Sequence, residues 1–389
     1  MWSDTSVDHK IMFKFSKFLS ELTISAVQDY SCNKKCCDLY YFKLSIDTCK
    51  GRRRKVHGRK SFFVLKCKKY HTAFAGRKER MNMTPVELHG KLRVEGTNIV
   101  DANGDIFQLR GCSTHGIAWY PGILTEDSFR TLRDDWHINT IRLAMYVEET
   151  GYDNCYMNQK EHNLALVKKG IDLCIKLGLY VIVDWHILIP GNPQDRKEDA
   201  KAFFTEVAKS YPDCPNIIYE ICNEPNGEGI NWEDIIRPYA VELTETIRPL
   251  ASDSIIVVGT ATWSQDVHDA VSNPLPDKNT VYAVHYYAAT HKQGLRDRVK
   301  ACYDLGYPIL ISEFGVCDAS GDGVNDFEEA NLWFELLDEL QIGYINWAYG
   351  NKKEACCVFR PGVDLGKGNW TEDELTESGN FMKKFFASK

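Results

Sequence analysis

From residue 86 onward, short apolar runs rich in Val, Ile and Tyr alternate with longer stretches whose apolar residues recur at helical spacing. The runs are Phe107–Gly111, Asn139–Val147, Leu179–His186, Ile217–Pro225, Ile255–Thr260, Val281–Tyr287, Ile309–Gly315 and Gly343–Tyr349. Apolar runs of that length fit strands buried on both faces, as in parallel sheet. Intervening stretches such as Leu164–Leu177 supply helices. Eight strands separated by helices predict an α/β fold, a (β/α)8 TIM barrel, led in by a short β-hairpin with its turn at Asn103-Gly104. Trp136 and Trp333 fall in helical stretches and are expected in the core.

The loops that follow the strands of such a barrel converge on one face. His115 and Trp119 stand just past the first strand, Arg142 in the second, His186 on the third, and Asn223 with Glu224 on the fourth. His285 and Tyr287 end the sixth, Glu313 the seventh and Trp347 the eighth. Imidazole, carboxylate and indole groups at nearly every strand end predict an active site at that mouth.

Composition changes the picture at the other end of the chain. Of the 389 residues, 44% are hydrophobic and 12% aromatic, which is globular material. Residues 1–85 carry 19 Lys and Arg against 7 Asp and Glu, leaving 28 against 47 for residues 86–389. We therefore expect a basic, Cys-containing, poorly ordered extension followed by a catalytic domain. The tract Gly51-Arg52-Arg53-Arg54-Lys55 is compatible with a nucleic-acid tail, but no amphipathic period persists there and no nucleic-acid partner is expected. Cys32-x3-Cys36-Cys37 lacks a second Cys or His pair at zinc-finger spacing. No stretch has the length of a membrane span. Nor does Met1 onward show a secretory leader, and a start at Met12 gives an apolar run broken by Ser and Glu. Cysteines inside apolar segments, such as Cys174, Cys222 and Cys302, read as free buried thiols.

Two lone carboxylates, Glu224 and Glu313, leave the ends of apolar strands 89 positions apart. Glycoside hydrolysis needs such a pair: an acid to protonate the leaving oxygen and a carboxylate to meet the developing oxocarbenium ion. Glu224 is expected as acid/base and Glu313 as nucleophile, about 5 to 5.5 Å apart in a retaining enzyme. Asn223 is placed to bond the sugar 2-hydroxyl, Tyr287 to bond the nucleophile, and Arg142 to keep one glutamate ionised beside the other. Trp347 and Trp119 offer flat faces for sugar rings, as do Trp263 and Tyr286. A metal held by Asp184, His186 and His285 would have to recruit Glu224 or Glu313 as a further ligand and so dismantle the pair; no metal is expected.

Gly111-Cys112-Ser113-Thr114-His115-Gly116, Ile141-Arg142-Leu143, Val183-Asp184-Trp185-His186, Tyr219-Glu220-Ile221-Cys222-Asn223-Glu224-Pro225-Asn226-Gly227, His285-Tyr286-Tyr287, Ile311-Ser312-Glu313-Phe314-Gly315 and Asn346-Trp347 together resemble the family 5 glycoside hydrolases of clan A, in particular their bacterial-type endoglucanase branch. The resemblance runs from about residue 86 to the C-terminus. It implies a secreted, cofactor-free retaining endo-β-1,4-glucanase acting on a β-glucan polysaccharide; a monomer without a membrane partner is expected. It also implies that Lys352 and Glu354 bind sugar further along the cleft, with His115 and Trp119 as outer contacts. Cys356-Cys357 departs from that family, where small residues such as Ser or Ala are usual. The same barrel and carboxylates serve β-mannanases, xylanases and xyloglucanases, and a non-catalytic sugar-binding barrel would lack one of the two glutamates.

Overall fold

The computed structural model describes residues 83–389. The basic extension, the Cys32-Cys36-Cys37 zinc reading and the Met12 leader fall outside that range. Thr84 opens the described chain by capping α1 (Pro85–His89) in a reciprocal box with Glu87. Two short antiparallel strands follow, β1 (Arg93–Glu95) and β2 (Asn98–Val100). Eight strands then close a barrel: β3 (Arg110–Thr114), β4 (Thr140–Tyr146), β5 (Tyr180–His186), β6 (Ile217–Glu220), β7 (Ile256–Val258), β8 (Thr280–Tyr287), β9 (Ile309–Gly315) and β10 (Tyr344–Tyr349). Neighbours pair in parallel, and β10 returns to β3. This is the expected TIM barrel.

Every residue of β4, β5, β6, β9 and β10 is buried, because helices cover the outer face and side chains fill the inner one. The outer layer includes α2 (Glu126–Asp134), α3 (Lys160–Leu177), α4 (Lys197–Ser210), α5 (Arg237–Ile247), α6 (Val267–Ser272), α7 (Gln293–Asp304), α8 (Phe327–Leu340) and α9 (Glu377–Ala387). Helix α3 shows why they dock: Val167, Gly170, Ile171, Cys174 and Leu177 form one buried stripe, and Gly178 in the left-handed region turns the chain into β5. Trp136 and Trp333 are fully buried, as expected from their positions.

Two expectations need correction. The first barrel strand is Arg110–Thr114 rather than Phe107–Gly111. Phe107 and Leu109 join Leu92, Ile99, Ile182, Val257 and Leu310 in a separate apolar cluster inside the barrel, so the apolar signal there marks its plug. The ladder of the lead hairpin turns at Gly96-Thr97, and Asn103-Gly104 makes a second turn closed by a single bridge between Val100 and Ile106. The nine described cysteines are free thiols, eight of them buried. No described helix is long and apolar enough to cross a membrane.

Candidate active site

Strand alternation decides which side chains reach the barrel mouth. On β8, His285 and Tyr287 line the mouth cavity, while Tyr286 between them stacks on Trp333 of α8 at 3.9 Å. Tyr286 is therefore core and not a sugar platform, which corrects the expectation placed on it. On β5, Asp184 and His186 turn inward and Trp185 packs outward against Phe203 of α4.

Arg142 is the hub beneath the mouth, fully buried. Its Nε donates to Glu220 Oε2 at 2.6 Å, Nη1 to Glu313 Oε2 at 3.1 Å, and Nη2 to Asn223 Oδ1 at 2.6 Å, with Asp184 Oδ2 3.0 Å from Nη2. Burial opposes the guanidinium charge, but the surrounding carboxylates outweigh it and hold Arg142 charged. Glu220 was not foreseen as a site residue. A charge inside the apolar run Ile217–Ile221 was the available signal, because an acid buried in a barrel strand demands a cationic partner.

Above the hub, the two strand-end glutamates meet. One oxygen each from Glu224 and Glu313 and a ring nitrogen of His285 lie within 4.8 Å of one another. Tyr287 donates its hydroxyl to Glu313 Oε1 at 2.8 Å, so both oxygens of that carboxylate are held. His285 binds Glu224 Oε1 through Nδ1 at 2.8 Å and Ser312 Oγ through Nε2 at 2.9 Å. Burial disfavours the imidazolium of His285. The carboxylates of Glu220, Glu224 and Glu313 more than offset it and raise the ring to about 9, with Glu220 at 3.9 Å acting as a charge rather than a hydrogen-bond partner. His186 goes the other way: burial and then Arg142 keep it neutral, its Nδ1 donating to Asp184 Oδ2 at 2.6 Å. Its Nε2 accepts from Asn223 Nδ2 at 3.2 Å, and the second Nδ2 proton goes to Ile187 O at 3.1 Å.

The cavity over this centre measures about 630 Å³. His115, Trp119, His186, Glu224, His285, Tyr287, Glu313, Trp347, Lys352 and Glu354 line it; Arg142 and Asn223 stand behind its wall. Trp347 stacks on His186 at 5.3 Å and 15°, presenting a flat floor. Trp119 is fixed by a bond from its indole N–H to Asn154 Oδ1 at 2.5 Å and by Tyr146 at 4.3 Å. Lys352 pairs with Glu354, whose Oε2 is 3.6 Å from His115 Nε2. At the opposite rim, Trp263 is 46% exposed on a loop where Thr262, Trp263 and Ser264 all have positive φ. Tyr146, Glu149 and Tyr152 also line the cavity and were missed, since they lie in or just beyond β4 without a motif of their own.

Two triples of potential metal ligands occur among the described residues, Glu224/His285/Glu313 and His115/Glu354/Cys357. Neither suits an ion. Both nitrogens of His285 are engaged, and the surrounding carboxylates favour its protonated form, which has no lone pair for a metal. His115 Nδ1 accepts from Gly116 N–H at 2.8 Å, so its proton sits on the Nε2 that would have to ligate.

Residues 100–353 match the family model for Cellulase (glycosyl hydrolase family 5). The chain is 45% identical over 305 residues to Endoglucanase N of Pectobacterium atrosepticum, covering 78% of this chain and 67% of that one. It is 44% identical over 295 residues to an endoglucanase of Clostridium saccharobutylicum, covering 76% and 64% respectively. The chain thus spans about two thirds of the length of these curated relatives. Among solved structures, the catalytic domain of Thermobifida fusca endoglucanase Cel5A superposes with a TM-score of 0.74 at 38% identity, covering 78% of this chain and 99% of that domain.

Proposed function

The chain belongs to the cellulase family, glycosyl hydrolase family 5, and on that premise we propose that it is a retaining endo-β-1,4-glucanase that cuts internal bonds of cellulose or related β-glucans. One observation carries the reading: one carboxylate oxygen of Glu224 and one of Glu313 approach within 4.8 Å in a cavity lined by Trp119, Trp263 and Trp347. That spacing suits double displacement, since an inverting pair stands about 6.5 to 9.5 Å apart to admit a water between acid and base.

Glu313 attacks the anomeric carbon while Glu224 protonates the departing glycosidic oxygen. The bonds from Tyr287 and Arg142 keep Glu313 aimed, and they weaken as its charge passes into the new ester bond. Water then enters on the leaving-group side, Glu224 takes its proton, and the ester is cleaved with overall retention. His285, bonded to Glu224, fixes the acid's rotamer and balances its charge after proton donation. The sugar 2-hydroxyl takes over the Nδ2–H that Asn223 donates to His186 in the free site. Trp347 floors the reacting sugar, and Trp119, His115, Lys352 and Glu354 grip the chain on one side, with Trp263 on the other.

Reducing-sugar release from carboxymethyl cellulose, lichenan, mannan and xylan side by side tests the substrate. Cleavage of the two β-glucans is expected, and activity confined to mannan or xylan would refute the assignment. Glu313→Ala should abolish hydrolysis by several orders of magnitude with the fold intact.

A further inference from the structure

Beneath the reacting pair, the buried charges do not balance. Asp184, Glu220 and Glu313 all contact Arg142, yet among the described residues the only other cation in the cluster is His285, which stands 2.8 Å from Glu224 and 3.9 Å from Glu220. Asp184 and Glu220 are fully buried neighbours, paired in register across β5 and β6. Each uses one oxygen in hydrogen bonds and leaves the other without one: Asp184 Oδ2 takes His186 and Arg142, Glu220 Oε2 takes Arg142, Asp184 Oδ1 has no hydrogen-bond partner, and Glu220 Oε1 has only the charge of His285 at 3.9 Å. Two adjacent buried carboxylates, each with an oxygen that accepts no hydrogen bond, are poorly compatible with both being ionised. A single proton resolves the orphan atoms and the charge excess together.

We propose that Asp184 is a buried carboxylic acid whose Oδ1 hydroxyl faces Glu220 Oε1, so that the pair carries one negative charge and positions Arg142 under Glu313. The proton is exchanged neither with substrate nor with the reacting glutamates; Asp184 is a positioning residue. The groups facing it are Arg142 on β4, His186 on its own strand, Glu220 on β6, His285 on β8 and Glu313 on β9. Their effects diverge within the pair. Burial pushes the Asp184 carboxyl well above the usual range despite Arg142, whereas Arg142 and His285 overcome burial at Glu220 and hold it down to about 2. His186 remains compatible with the acid, since its Nδ1–H needs only the Oδ2 lone pair.

The kinetic arm of the test rests on the hydrolase reading; the spectroscopic arm does not. Asp184→Asn keeps a neutral donor towards Glu220 and an acceptor towards His186. It should retain kcat/KM within about threefold, with an unmoved alkaline limb, whereas Asp184→Ala should lose on the order of 100-fold. Loss in Asp184→Asn equal to that in Asp184→Ala, or an alkaline limb moved by about a pH unit or more, would overturn the proposal, because exchanging a neutral acid for a neutral amide leaves the charge beneath the site unchanged whereas removing a true negative charge does not. Infrared difference spectra of Glu224→Gln at about pH 8, where ordinary carboxyls are ionised, should show a protonated-carboxyl C=O band that Asp184→Asn removes. Absence of any such band in Glu224→Gln alone refutes the shared proton, even if the double variant fails to fold.

Discussion

Replacing Tyr287 by Phe removes one oxygen atom whose only side-chain partner is Glu313 Oε1, at 2.8 Å. Burial holds the phenol well above its ordinary pKa, so Tyr287 stays a donor across any practical assay range. A hydrogen bond to a charged group contributes about 1.5 to 3 kcal/mol, which corresponds to a loss of roughly 10- to 150-fold in kcat/KM. The bond also fixes the direction of the carboxylate, so its loss should fall on kcat more than on KM. The ring remains, and Arg142 still holds Oε2 at 3.1 Å, so melting temperature should change little. The assay is kcat/KM on a soluble β-glucan from about pH 4 to pH 9, with a thermal melt alongside. A loss under about threefold in kcat/KM would show that Tyr287 does not steer the nucleophile.

Two further predictions probe the same cluster from other sides. A Cβ added at Gly315 would lie 2.4 Å from Cδ1 and 2.6 Å from Cε1 of Tyr287, so Gly315→Ala should displace the phenol and reproduce much of the Tyr287→Phe loss without altering any charge; full activity would contradict the packing argument. His285 has its pKa raised from 6.5 to about 9, so its contribution to stability is complete below about 6.5 and disappears as pH rises through about 9. Thermal melts should fall across that window in the native chain and fall less in His285→Gln, and parallel curves would remove the ion pair from the account.

The barrel was legible because strands such as β5, β6, β9 and β10 are buried along their whole length and so appear as largely apolar runs, which end where polar groups are delivered. Phe107 and Leu109 misled for the same reason: an apolar plug under the barrel and an apolar strand look alike over a few residues. Tyr286 and Tyr287 show how alternation separates neighbours, one against Trp333 and the other on Glu313. Read as a pair of aromatics, they give no hint of which faces the cleft until the strand's register is known. Glu220 and Asp184 were visible as charges within apolar runs, but their task depends on both reaching Arg142, a relation between three strands that sequence spacing does not encode. Tyr146, Glu149 and Tyr152 reach the cavity because of where β4 and the loop beyond it lead, and no motif marks them.

Mass spectrometry after reaction with an activated 2-deoxy-2-fluoro-β-cellobioside tests the central claim most directly, since the fluorine slows breakdown of a covalent glycosyl-enzyme. A retaining pair at this spacing predicts a single cellobiosyl adduct on Glu313 within Ile309–Gly315, absent from Glu313→Ala. An adduct on Glu224 or elsewhere, or an unlabelled enzyme that turns over natural substrate to an inverted product, would contradict it.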